Sequence, residues 1–188
     1  MYAKGLKRLI DVVLALLGLI ILSPVILLVA LAIKIGDPGP VIFRQQRIGA
    51  GGRIFMINKF RSMPVGTANL SSDLMEEPKL TWIGRFIRRS NLDELPQLWN
   101  ILKGDMAVVG PRPPIPSQTE LIALRRENGA LACRPGLTGW AQINGYDGMS
   151  VPVKAGYDAE YARRVSLAMD LGIMFRTFGY LTRPPPKY

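Results

Sequence analysis

The apolar positions of this chain fall into blocks of different period. Val12 to Ile33 is a run of 22 residues without a charge, bounded by Lys4, Lys7, Arg8 and Asp11 on one side and Lys34 on the other. As one helix it would extend about 33 Å, enough to cross a hydrocarbon core. It is too long for a signal-peptide core, and no small-residue cleavage site follows it. Ser23 and Pro24 interrupt its middle, where a proline removes a backbone donor and crowds the preceding turn at a cost of about 3 kcal/mol. Both flanks are basic, so Lys and Arg give no asymmetry to orient a crossing. Two readings stand: a proline-kinked spanning helix, or a re-entrant helix that bends at Ser23-Pro24 and returns. In either, the Ser23 hydroxyl can take up a backbone group that the proline releases.

Beyond Asp37-Pro38-Gly39-Pro40 the pattern changes. Val41 to Ile48 and Arg53 to Phe60 are β-prone runs joined by Gly49-Ala50-Gly51-Gly52, a predicted hairpin. Residues 64–78 read as a polar, irregular loop over a site, and Trp82 to Arg89 as a short basic helix or turn. Leu92, Leu95, Leu98, Trp99 and Leu102 form a helical stripe. Pro111, Pro113, Pro114 and Pro116 enforce an extended loop. Gln118 to Gly129 is a surface helix, Arg134 to Gly145 a Gly-rich loop, and Tyr157 to Leu181 mostly helical. The apolar stretch Ser166 to Leu181 suits either the headgroup plane of a membrane or packing on the protein's own core.

Composition narrows the chemistry. The 188 residues fit one domain, and 24 Lys and Arg against 14 Asp and Glu give a net charge of +10. Such an excess suits nucleic acid, an anionic membrane surface or a polyphosphate substrate. A hydrophobic content of 48% argues against a nucleic-acid module and for a membrane protein that handles phosphates. The lone Cys133 precludes an intramolecular disulfide and suits a reducing compartment. With no histidine in the chain there is no imidazole base and no Ser-His-Asp triad.

Among the few carboxylates, Asp93-Glu94 is expected in the first turn of the striped helix, with Ser90-Asn91 as caps and Pro96 tolerated there. The positive helix end and the preceding Arg85, Arg88 and Arg89 would keep the pair ionised. Lys59-Phe60-Arg61-Ser62 and Gly110-Pro111-Arg112-Pro113 set cations on stiff segments, suitable as a phosphate clamp. Paired carboxylates beside cations favour an oxygen-ligated ion such as Mg²⁺, which would neutralise a diphosphate. The plain readings are a helix-stabilising acidic turn and a surface arginine.

Several ordered segments carry a resemblance. They are Lys7-Arg8-x-x-Asp11, Leu22-Ser23-Pro24, Gly39-Pro-Val-Ile-Phe-Arg-Gln, Lys59-Phe-Arg-Ser-Met63, Leu92-Asp-Glu-Leu-Pro-Gln97, Lys103-Gly-Asp-Met106 and Val109-Gly-Pro-Arg-Pro113. Arg134-Pro-Gly-Leu-Thr-Gly-Trp-Ala-Gln142 and Asp158-x-x-Tyr161, in the helical region that runs on to Asp170, follow. From about Lys7 to Thr177 the chain resembles the monotopic phosphoglycosyl transferases, the bacterial sugar transferase family, in minimal single-domain form.

That resemblance implies a helix-break-helix entering one leaflet, with the break at Ser23 and Pro24. It implies that Asp93 forms a covalent phospho-sugar intermediate with release of UMP, and that Glu94 binds Mg²⁺. Lys59, Arg112 and Asp158 match other active-site positions, and Arg88, just ahead of the dyad, is a further candidate phosphate contact. Where similar members carry Asn-Gly-Arg, this chain has Asn144-Gly145-Tyr146-Asp147, one cation fewer, so the resemblance leaves the sugar open. An N-acetylated amino sugar is the expectation by analogy with small members.

The expected architecture is a mostly helical α+β fold, monotopic, with a β-hairpin and amphipathic interfacial helices. Residues 1–36 form the membrane helix and 37–188 one integrated catalytic domain, on the cytoplasmic face of a bacterial inner membrane. The expected substrates are a UDP-sugar and polyprenyl (undecaprenyl) phosphate, with membrane lipids as partners and no nucleic acid. The rival readings are direct transfer in a ternary complex and a non-catalytic, basic, membrane-anchored binding protein.

Overall fold

A computed structural model of the chain describes residue 2 and residues 5–67, 80–145 and 148–181, the side chains of 180 and 181 excepted. Most of the expected polar loop lies outside the described residues, as do Lys4, Tyr146, Asp147 and the prolines after the last helix.

The uncharged run forms helix α1, Leu6–Gly36. It continues through Pro24, so the expected break is not seen as a gap in the helix. Pro24 has no N–H for the carbonyl of Ile20, and the Ser23 hydroxyl donates to that oxygen at 2.8 Å. The group orphaned by the proline is therefore satisfied from the neighbouring residue. One side of α1 packs inward through Ala15, Val29 and Ile33. The other leaves Leu9, Ile20, Ile21, Leu27, Leu28 and Ile35 exposed, joined by Trp82, Phe86 and Trp99 of the helices beneath. An exposed apolar face of this kind marks a surface for lipid or for another protein.

Both ends of α1 are fastened to the same polar domain. Arg8 donates to the carbonyls of Ile101 (2.6 Å) and Leu102 (2.9 Å), and Asp11 accepts the Val108 N–H at 3.0 Å. At the far end Arg61 pairs with Asp37, and Val29 and Ile33 pack against Phe60, Ile83 and Ile87.

The predicted hairpin is present. Strands β1, Ile42–Ile48, and β2, Ile54–Phe60, pair antiparallel with Ile48 opposite Ile54 and Phe43 opposite Lys59. Alternation puts Phe55, Ile57 and Lys59 on one face of β2, two core side chains followed by a cation. Helix α2, Trp82–Arg89, starts at Thr81, whose hydroxyl accepts the Gly84 N–H at 2.9 Å. A Cβ on Gly84 would lie 1.9 Å from the Ser62 carbonyl oxygen, so only glycine lets α2 approach the end of the hairpin.

Helix α3, Gln97–Lys103, carries the apolar stripe. Leu92 and Leu95, just before it, pack with Val29, Ile33, Phe60, Ile83 and Ile87, and Leu98 and Ile101 with Ala15, Phe55, Ile57 and Met106. Fully buried Ile87 and Ile101 each contribute about 1.5–3 kcal/mol of transfer free energy.

Arg134 to Gly145, expected as loop, is structured. Strand β4, Gly136–Thr138, pairs parallel with β3, Ala107–Val109, and helix α5, Trp140–Asn144, follows. The glycines are what permit it: Cβ atoms on Gly136 and Gly139 would lie 2.1 and 2.2 Å from the backbone of Gly110. Helix α4, Thr119–Glu127, matches its predicted span. The C-terminal helical region begins earlier than expected and divides into α6, Val151–Arg164, and α7, Leu167–Leu181. On α7 Ile173 is packed into the core while Leu171, Phe175 and Phe178 are exposed.

Candidate active site

Asp93 and Glu94 lie in a 3-10 turn, Leu92–Glu94, ahead of α3 rather than in its first turn. Ser90 and Asn91 do not cap it. The Ser90 hydroxyl closes α2 by donating to the Phe86 carbonyl at 2.8 Å, and Asn91 makes no side-chain cap bond. Asn91 instead turns the chain with φ of 54°, a left-handed conformation that asparagine adopts more readily than most residues. Pro96 occupies the N-cap of α3.

The turn is held in register with β2 by Asn100 of α3, which is fully buried. Its Oδ1 accepts from the Asn58 N–H and side-chain amide, both at 2.9 Å, and its Nδ2 donates to the Met56 carbonyl at 2.7 Å. This cross-brace fixes the dyad beside Lys59. Lys59 Nζ lies 2.7 Å from Glu94 Oε1 and 3.9 Å from Asp93 Oδ2. Arg112, on the proline-stiffened loop, brings Nη2 to 2.9 Å from the same Glu94 Oε1. Arg88 of α2 donates through Nε to Ser62 Oγ at 2.9 Å. Asp93, Glu94, Lys59, Arg88 and Arg112 all line one cleft of about 1280 Å³.

The two adjacent carboxylates are driven apart electrostatically. Burial pushes Asp93 up from the ordinary aspartate range and the Glu94 charge adds to this, while Lys59, Arg88 and Arg112 oppose it. Burial also works against ionisation of Glu94, but Arg112 and Lys59 outweigh it and hold that carboxyl well below its usual range. Such a split is the usual mark of paired carboxylates with different tasks. Glu94 is thus held as an anion by Lys59 and Arg112, while Asp93 beside it is the more basic of the two carboxylates.

Not every residue expected at the site faces the cleft. Asp158 is buried and takes Nε and Nη2 of Arg125 on Oδ2, at 2.8 and 2.5 Å. Nη1 of Arg125 donates to the Arg112 carbonyl at 2.9 Å, so Asp158 acts at second hand, by fixing the backbone that presents Arg112. Arg61 does line the cleft, but its guanidinium is taken up by Asp37, where the chain leaves α1. Arg125 was not singled out in the sequence, nor was Lys154, which lines the cleft with Arg44 and Thr138; the last two stood only within the family-like segments. Among the described residues no third His, Cys, Asp or Glu joins the dyad as a metal cluster. A two-carboxylate donor set fits an ion such as Mg²⁺, which keeps several waters and completes its shell with substrate phosphates.

These features, an acidic pair and clustered cations in a cleft beneath a long apolar helix, agree with the family matched by the chain: residues 2–184 match the bacterial sugar transferases, and the chain belongs to that family. It is 42% identical over 181 residues to the UDP-glucose:undecaprenyl-phosphate glucose-1-phosphate transferase of Escherichia coli K12, covering 92% of this chain and 39% of that protein. It is 36% identical to the undecaprenyl-phosphate galactose phosphotransferase of Salmonella typhimurium, covering 99% and 42%. Against the exopolysaccharide production protein ExoY of Sinorhizobium fredii the identity is 37%, over 91% of this chain and 83% of that one. The chain thus spans about two fifths of the first two relatives.

Proposed function

We propose that this chain transfers a sugar 1-phosphate from a UDP-sugar to undecaprenyl phosphate, with release of UMP, through a covalent intermediate on Asp93. The observation that carries the reading is the Asp93-Glu94 pair set in one cleft with Lys59, Arg88 and Arg112, with Lys59 and Arg112 both on Glu94 Oε1. In the first displacement an Asp93 oxygen attacks the β-phosphorus of the UDP-sugar. The bond to the bridging oxygen breaks and UMP departs with the electron pair. In the second, a phosphate oxygen of the lipid attacks the same phosphorus and Asp93 leaves as carboxylate. Lys59, Arg88 and Arg112 orient the phosphates and offset their charge. Glu94, with Asp93 beside it, would hold Mg²⁺, which when bound supplies charge neutralisation at the diphosphate. The names of the relatives point to glucose or galactose as the sugar and give no support to an N-acetylated one.

In this reading α1 is re-entrant and the catalytic domain faces the cytoplasm. Attachment of Arg8 and Asp11 near one end of α1, and of Asp37 just after the other, to the rest of the chain supports it, because a spanning helix would carry its ends to opposite sides. Gly5→Cys in a Cys133→Ser background should resist impermeant thiol reagents in intact cells, whereas rapid labelling from outside would show a spanning helix. The reaction is tested with full-length protein in lipid nanodiscs, undecaprenyl phosphate, Mg²⁺ and a panel of UDP-sugars. UMP release with UDP-glucose or UDP-galactose, abolished by a chelator, is expected. Tight nucleotide binding without UMP from any donor would favour the binding-protein reading.

A further inference from the structure

The two cations nearest Glu94 converge on one atom. Lys59 Nζ and Arg112 Nη2 lie 2.7 and 2.9 Å from Oε1, so the protein neutralises this carboxylate with its own side chains. A divalent cation approaching Oε1 would meet two positive charges already in place, and like charges at such range repel strongly in a partly buried site. Among the described residues no third acidic group strengthens the site against that repulsion. A diphosphate changes the balance, because its oxygens are acceptors that both cations can turn to.

We propose that Lys59 and Arg112 bar divalent cations from Glu94 in the free protein and release it when a diphosphate draws them away, so that metal and diphosphate enter as a coupled pair. This rests on reading the cleft as a nucleoside-diphosphate site. The free protein is therefore a poor metal binder, and the coupling is reciprocal: whatever factor the diphosphate adds to metal affinity, the metal adds to diphosphate affinity.

The test uses full-length protein in nanodiscs, Mn²⁺ as a paramagnetic probe, and UDP, which carries no sugar to transfer. Water-proton relaxation reports Mn²⁺ immobilised on the protein and responds little to Mn²⁺ on free UDP. UDP should raise Mn²⁺ affinity by roughly 5- to 150-fold, the ordinary range of coupling between two ligands. Inorganic pyrophosphate should act in the same direction. A metal bridging to phosphate would also produce coupling, so the variants decide the cause. Lys59→Gln and Arg112→Gln, each checked for folding by thermal melting, should bind Mn²⁺ alone severalfold more tightly than wild type. Glu94→Gln should lose the UDP-promoted binding. If only one cation variant folds, that variant decides. Equal Mn²⁺ affinity with and without UDP, or cation variants that bind Mn²⁺ alone no tighter than wild type, would overturn the proposal. UDP-promoted Mn²⁺ binding in a protein that releases no UMP from any UDP-sugar would sink the transferase reading and leave the exchange standing.

Discussion

At the foot of α1, Asp170 receives Lys7 at 2.7 Å, the Tyr2 hydroxyl at 2.5 Å and the Tyr161 hydroxyl at 2.9 Å. At the cleft, Glu94 receives Lys59 and Arg112 on a single oxygen, with Asp93 at its side. Both clusters are buried and both mix acids with cations. In the first, each partner is a fixed part of the chain and neither Asp170, Lys7 nor Tyr161 lines the cleft. The arrangement holds the start of α1 to α6, α7 and β3. In the second, the cations face open space and can trade one anion for another. The Asp158–Arg125 pair belongs with the first cluster in kind, although its sequence context suggested the second. Buried charge with only internal partners is architecture, and buried charge with a cleft beside it is chemistry.

Three substitutions probe that division. Asp93→Asn should lower turnover by about four orders of magnitude or more, the scale seen when a nucleophilic system loses a member, with little change in melting temperature. Asp158→Asn should do the opposite. Leaving Arg125 buried without its partner should cost about 3–5 kcal/mol, which lowers the melting temperature of a chain this size by roughly 10 °C or more. In protein that remains folded, substrate affinity should weaken through the displaced Arg112 loop while the pH profile stays in place. A large loss of turnover with unchanged melting would move Asp158 into the catalytic group. Tyr161→Phe should have the smallest effect. It removes a hydroxyl within reach of both Asp170 and the Val109 carbonyl, costing about 1–2 kcal/mol in denaturant unfolding. Turnover should be nearly normal, since Lys7 and Tyr2 still hold Asp170.

What the sequence disclosed follows the same line. α1, the hairpin and the α3 stripe were readable because each is a local pattern of period 3.6 or 2. Asp93 and Glu94 stood out because acids are scarce, and Lys59 and Arg112 because they sit on stiff segments. What the sequence did not disclose are contacts made across the chain. Lys7 meets Asp170 across 163 positions, and Asp11 meets Val108 across 97. The β3–β4 pair joins two three-residue strands that look like loop until Gly110, Gly136 and Gly139 are seen to bring the backbones together. Ser90 and Asn91 have the chemistry of helix caps, yet the left-handed turn at Asn91 sends the dyad into its own 3-10 turn. Arg125, on an unremarkable surface helix, could not be tied to Asp158 or to Arg112 by any spacing.

Whether Asp93 is the nucleophile is read out by intact-protein mass spectrometry. Full-length protein is mixed with UDP-glucose or UDP-galactose and Mg²⁺ in the absence of undecaprenyl phosphate, then quenched. A nucleophilic Asp93 gives a mass increase of one hexose phosphate, up to one equivalent of UMP, and an adduct that maps to Asp93 and is absent from Asp93→Asn. UMP that appears only when the lipid phosphate is added, with no adduct on any residue, would contradict it and establish direct transfer.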